Sequence, residues 1–190
     1  VKYRSPLQAQ WEANQTSYDW FVYRYAEVLL INAEANAELG QCTQAVLDQT
    51  INLLRDRVDM PHLTTTPVAD PAAINYGYSV SPLIYEIRRE RRIELFAEGY
   101  RWDDVCRWNV GEVVFNRVRR GAKMDPNLYS ADEIKTIKDQ VGFDADGFIT
   151  PYAKRVTYSM NFTAKNYLYN IPLDEISLNP NLLPQNPGWE

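Results

Sequence analysis

The chain has 190 residues and a formal charge of −5 from 20 basic and 25 acidic side chains, with a sequence pI near 5.0. Nucleic acids and anionic lipids are held by clustered Lys and Arg, so a net acidic chain argues against both as its main partner. His62, Cys42 and Cys106 give three nitrogen or sulfur ligands where a structural zinc site takes four, and two cysteines cannot make a disulfide framework.

A domain of this size buries roughly 70% of its unfolded surface, so a 45% hydrophobic composition suits one self-supporting core, with room for a small annex. Aromatics are in excess at 13%. The first residue is Val1, and residues 1–6 lack the basic start and apolar run of a secretion signal, so the chain reads as a cut piece of something longer. Its longest apolar stretch, residues 28–31, falls far short of the ~20 residues of a membrane helix. A Cys42–Cys106 bridge is one reading of the cysteines. Two buried small hydrophobes is the other.

Residues 1–19 are polar and aromatic without helical period and read as an irregular lead-in. From Trp20 to Leu39, Val22, Tyr25, Leu29, Ala33 and Asn36 recur at three or four, and Gly40 ends the run as a C-terminal cap. Thr43 then caps a second helix to about Val58, carried by Leu47, Ile51, Leu54 and Val58. So short a turn makes the two helices antiparallel, giving residues 20–58 the form of a helical-repeat hairpin. Residues 59–80, with three prolines and the Asn75-Tyr76-Gly77-Tyr78 segment, are loop. Ser81-Pro82 starts a third helix to about Glu98. Gly99 marks a break, and further helices are expected over residues 100–109 and 111–120, so that 81–120 is a run of separate helices. In the last segment, 121–190, Ser130-Ala131-Asp132-Glu133 is a capping box opening a short helix. After Gly142 the pattern is loop, with at most a short extended piece at residues 167–171.

Between Glu86 and Arg107 lie six arginines and six acids, so this dense segment carries no net charge. Leu83, Ile84 and Ile87 define an inward helical face, and the positions that continue it are Arg91, Glu94 and Glu98. Ile93, Phe96, Ala97 and Tyr100 form a second, apolar face, which predicts protein on both sides. Buried charge is tolerated only when paired, so Arg91, Glu94 and Glu98 are expected in a structural ion network with Arg101 and Arg107 among the partners. Acid and base chemistry by a carboxylate pair is the alternative, but adjacent arginines hold carboxylates ionised, which is wrong for a general acid. Trp102 and Trp108 read as core aromatics. Asp144-Ala145-Asp146-Gly147 resembles the start of a calcium loop without its later ligands and reads as a solvated turn. His62 has no nucleophile setting around it, and no metal or cofactor is expected.

The residues also carry a resemblance. Arg24-Tyr25-Ala26-Glu27-Val28-Leu29-Leu30 with Ala33-Glu34-Ala35, then Ile51-Asn52-Leu53-Leu54-Arg55-Asp56-Arg57, resemble blocks of the SusD/RagB family of outer-membrane nutrient-binding lipoproteins. The run from Arg89-Glu90-Arg91-Arg92-Ile93-Glu94-Leu95-Phe96-Ala97-Glu98-Gly99 through Tyr100-Arg101-Trp102-Asp103-Asp104-Val105-Cys106-Arg107-Trp108 is similar to that family's most distinctive signature. Tyr167-Leu168-Tyr169-Asn170-Ile171-Pro172 and Gln185-Asn186-Pro187-Gly188-Trp189 resemble its closing motif, with Asn170 where the family often has proline.

The resemblance implies an all-α fold built on tetratricopeptide-like hairpins, with this chain as the C-terminal portion and a lipidated N-terminal portion preceding it. It implies a surface-exposed outer-membrane lipoprotein that binds glycans, or in some members peptides, catalyses nothing, and docks on a SusC-like TonB-dependent transporter. A helical protein-interaction scaffold is the alternative function. No ligand residue transfers by motif. Sugars offer flat, weakly apolar faces between hydroxyls, so the candidates are the aromatics outside helices, Trp11, Tyr18, Tyr76 and Tyr78, with Asn75 beside the last pair.

Overall fold

A computed structural model describes residues 7–12, 17, 19, 21–154 and 160–190. The chain divides into two compact units, one of residues 1–71 and 81–98, the other of residues 72–80 and 99–190. The expectation for Tyr18 falls on a residue outside those described, and the helix expected from Trp20 is corrected to a later start, since residues 21–24 are not helical.

In the first unit, helix α1 spans Tyr25–Glu38 after an extended Arg24. Gly40 ends it at φ 67°, and the N–H of Gln41 and of Gly40 reach back to the carbonyls of Asn36 and Ala37. This is the paired closure that a residue in the left-handed region permits. The returning limb is two helices where the sequence period predicts one: α2, Gln44–Asp48, and α3, Ile51–Asp56. Thr43 caps α2 by accepting from the N–H of Val46. The break follows from Thr50, whose hydroxyl donates to the carbonyl of Val46 at 2.5 Å and competes with the backbone ladder. Leu47 and Ile51 are both fully buried across it, so the core period survives the interruption.

Helix α4 spans Pro82–Glu94, with Ser81 accepting from the N–H of Ile84. It packs against α1, and Leu29, Leu30, Ala33, Leu54, Leu63, Ile87 and Leu95 are buried in this unit. The helix stops short of the predicted Glu98, because the chain bends after Leu95 and Ala97 takes φ 64°. Phe96 and Ala97 therefore leave the helical face on which they were placed. The predicted second covered face is corrected accordingly, since Ile93 is 57% and Phe96 73% exposed.

In the second unit, α5 spans Arg101–Arg107 and α6 Gly111–Phe115, shorter than the pattern predicts. Val105, Trp108 and Val110 form its buried cluster, with Tyr76, Val114 and Phe115 packed on it. Trp102, Phe115, Phe162 and Tyr167 make a ring-to-ring series with centroids 4.9–6.1 Å apart. Gly111 lies so close that a Cβ there would enter the Phe162 ring, and its N–H donates to the Tyr167 hydroxyl at 2.7 Å. Helix α7, Ala131–Gln140, begins with the predicted capping box of Ser130 and Glu133.

The antiparallel strands β1, Gly142–Phe143, and β2, Ile149–Thr150, were not anticipated. Their turn is the Asp144-to-Gly147 segment, where the Asp144 carboxylate accepts from the N–H of Asp146 and Phe148. Burial opposes ionisation of Asp144, but these two bonds and the Arg120 guanidinium outweigh it and hold the carboxyl below its ordinary range. Arg120 also pairs with Asp146 at 2.7 Å, so a cation already occupies this acidic turn.

No strand forms at residues 167–171. The closing motif is instead held by side chains: the Gln185 amide bonds both the N–H and the C=O of Ile171, at 2.7 and 2.8 Å, and Asn186 donates to the carbonyl of Tyr169. The Trp189 indole N–H reaches the carbonyls of Lys165 and Leu168. Helix α8, Leu173–Leu178, follows Pro172.

Candidate functional site

The signature residues of the first unit converge on two guanidinium groups. Arg24, just before α1, donates through Nε and Nη2 to both oxygens of Glu98, at 2.8 and 2.7 Å, and through Nη2 to Glu94 Oε1 at 3.0 Å. The same Nη2 meets the main-chain carbonyl of Glu94 at 3.2 Å. The arginine thus satisfies a carbonyl freed where α4 ends, which gives the early stop a tertiary cause. The Glu98 side chain is 4% exposed, and its bonds raise the Arg24 pKa further above the ordinary arginine value. Arg57 takes the other oxygen of Glu94 at 2.5 Å.

Arg55 is the second centre. It bonds Glu90 through Nε and Nη2 at 3.0 and 2.8 Å, lies 3.7 Å from Glu86, and donates to the carbonyl of Pro61. Glu86 in turn takes Arg89 at 2.6 Å. Arg88 joins α4 to α1 through Glu38 at 2.9 Å and Glu34 at 3.6 Å.

The predicted network members are placed as follows. Arg91 is buried on α4, and Glu94 and Glu98 meet Arg24 and Arg57. Arg107 pairs with Asp104 at 2.9 Å and lies 4.7 Å over the Trp108 ring. Arg101 stands 5.8 Å over the same ring. Sequence reasoning missed Arg24, Arg55 and Arg57 as partners, although all three were legible as members of matching blocks.

It also missed Asn52. This fully buried amide accepts from the N–H of Leu63 at 2.7 Å and donates to the Leu63 carbonyl and to Asp48, so it clamps the start of the long loop as a strand partner would.

The loop aromatics are divided. Trp11 is 47% exposed. Tyr76 packs on the buried cluster of the second unit, with its ring 6.1 Å from that of Tyr78. Tyr78 leaves 42% of its surface exposed while its hydroxyl donates to the Trp108 carbonyl at 2.8 Å. Asn75 is exposed and uses its side-chain oxygen to accept from the N–H of Gly77. Cys42 and Cys106 are free, half-buried thiols whose pKa values burial pushes up. His62 meets Asp56 at 2.6 Å on an open surface.

Taken together, these carboxylates are fixed by arginines and these amides by main chain, an arrangement that builds a scaffold. The SusD family profile matches residues 1–189, and the chain belongs to that family. It is 30% identical over 175 residues to the SusD-like protein P2 of Formosa agariphila, covering 92% of this chain and 27% of that protein. The SusD-like protein P38 of the same organism is 39% identical over 88 residues, 46% of this chain and 16% of the relative. Among solved structures, a SusD-like carbohydrate binding protein from Bacteroides fragilis superposes with a TM-score of 0.61 at 32% identity, covering 85% of this chain and 28% of that one. The chain therefore spans less than a third of the length of each of these relatives.

Proposed function

We infer that this chain is the C-terminal part of a non-catalytic glycan-binding subunit of an outer-membrane uptake complex, lipid-anchored outside the cell and passing its ligand to a SusC-like TonB-dependent transporter. The observation that carries the reading is the likeness, in sequence and fold together, to a SusD-like carbohydrate binding protein. The ion geometry supports the non-catalytic half. A glycosidase needs two carboxyls facing each other across an open cleft, whereas Glu94 and Glu98 share the guanidinium of Arg24.

Sugar contact is placed on exposed aromatics outside helices: Tyr78, held at its hydroxyl so that its ring is already oriented, with Asn75 beside it and Tyr76 beneath as support. Trp11 is a further candidate, and Tyr18 remains one from its sequence position. The experiment is calorimetric titration of the full-length protein with a panel of oligosaccharides, followed by chromatography of the recovered sugar. Binding with the sugar intact is expected, weakened by Tyr78→Ala. Cleavage that disappears in Glu94→Gln or Glu98→Gln would replace the reading with a hydrolase.

A further inference from the structure

A cleft of about 300 Å³ opens in the second unit between the end of α6 and the segment after β2. Arg117 and Arg119 line it, with Asn116, Thr150, Tyr152 and Met160. Seven other arginines are paired with acids: Arg24, Arg55, Arg57, Arg88, Arg89, Arg107 and Arg120 each lie within 4.0 Å of a carboxylate. The described residues include every Asp and Glu of the chain. Among them, none meets Arg117 or Arg119. Among the described residues, the Arg119 guanidinium donates only to the Met160 thioether, at 3.0 and 3.2 Å, which is a weak and uncharged acceptor.

Two cations without counter-ions on the wall of one cleft are notable in a chain of net charge −5. The wall that carries them is fixed. Asn116 bonds the Phe162 main chain in both directions, donating to its carbonyl at 2.8 Å and accepting from its N–H at 2.6 Å. Thr150 at the other side is buried, and Tyr152 leaves 37% of its surface exposed. A guanidinium presents a planar fork that matches a carboxylate or a sulfate with two parallel hydrogen bonds, and a tyrosine ring offers a face to a sugar's C–H groups. The volume lies at the small end of the roughly 300–1,000 Å³ range of ligand clefts, which suits one residue of a longer chain.

We propose that this cleft is a subsite for an acidic sugar residue, bearing a carboxylate or a sulfate ester, held by Arg117 and Arg119 against Tyr152. The proposal rests on the glycan-binding reading and adds the charge class of the ligand. Its test is titration of the full-length protein with polygalacturonate and alginate as carboxylated chains, dextran sulfate and heparin as sulfated ones, and dextran and pullulan as neutral ones.

At least one acidic glycan is expected to bind, with affinity falling as salt rises. Arg117→Gln and Arg119→Gln should each weaken that binding tenfold or more without moving the melting temperature. Arg92→Gln removes an exposed charge on α4 outside the cleft and should change nothing. Preference for the carboxylated or the sulfated set identifies which acid the fork reads, and either supports the subsite. Acidic binding that survives both substitutions overturns it, and so does binding confined to the neutral chains, which leaves the glycan reading standing. Failure of every chain to bind overturns both. Should Arg119→Gln fail to fold, Arg117→Gln carries the test alone, because its guanidinium has no bond to lose among the described residues.

Discussion

Glu98 shows why a charge can occupy a core-facing position. Its two oxygens are matched by one guanidinium, and that guanidinium also closes the end of α4. Removing the negative charge leaves a half-buried arginine with one carboxylate fewer, so Glu98→Gln should cost roughly 2 kcal/mol, read as a fall of several degrees in melting temperature. Unchanged melting would mean that the pair is ornamental. Glu133 gives a pH-dependent counterpart. The N–H and hydroxyl of Ser130 both donate to its carboxylate at 2.8 Å and lower its pKa. A depressed carboxyl stabilises the fold above its unfolded value of roughly 4.3 and loses that contribution as pH falls through the lower folded value. Melting curves of the protein and of Glu133→Ala should therefore lie furthest apart near neutrality and converge below about pH 4.

At the scale of elements, apolar period and cap chemistry made α1, α4 and α7 legible, including Gly40, Ser81 and the Ser130–Glu133 box. What was not legible has tertiary causes. Helices α3 and α5 end with Asp59 and Asn109 at φ 54° and 52°, using the same backward N–H closure that Gly40 makes without offering its sequence signal. The break at Thr50 preserves the apolar period, so periodicity alone reads through it. Strands of two residues are too short for alternation to register. Ion partners were legible as residue types, but Arg24 and Glu98 stand 74 positions apart, and local spacing carries no information about such a meeting. The same holds for Asn52, which organises the long loop from the neighbouring helix. Asn52→Ala strands the buried N–H of Leu63, whose C=O keeps the bond from the Gln44 amide, at a cost of about 1–3 kcal/mol, and should speed hydrogen exchange at Leu63 while leaving α7 unaffected. Exchange unchanged at Leu63 would contradict the clamp.

Over the whole molecule, the family blocks turn out to be structural devices. The arginine-rich signature ties α4 to α1 and α3, and the closing Gln-Asn-Pro-Gly-Trp motif ties the last residues to the segment around Ile171. This division explains why family and fold could be read from the sequence while the ligand could not. Motif residues are spent on architecture, and the proposed ligand contacts fall on loop and cleft side chains that no motif marks. The most direct test of the central claim is migration of the full-length protein through native gels, each cast with one polysaccharide from a panel of neutral and acidic chains. Retardation by at least one polysaccharide is the predicted result, and mobility identical to the polysaccharide-free gel in every lane would contradict a glycan-binding function.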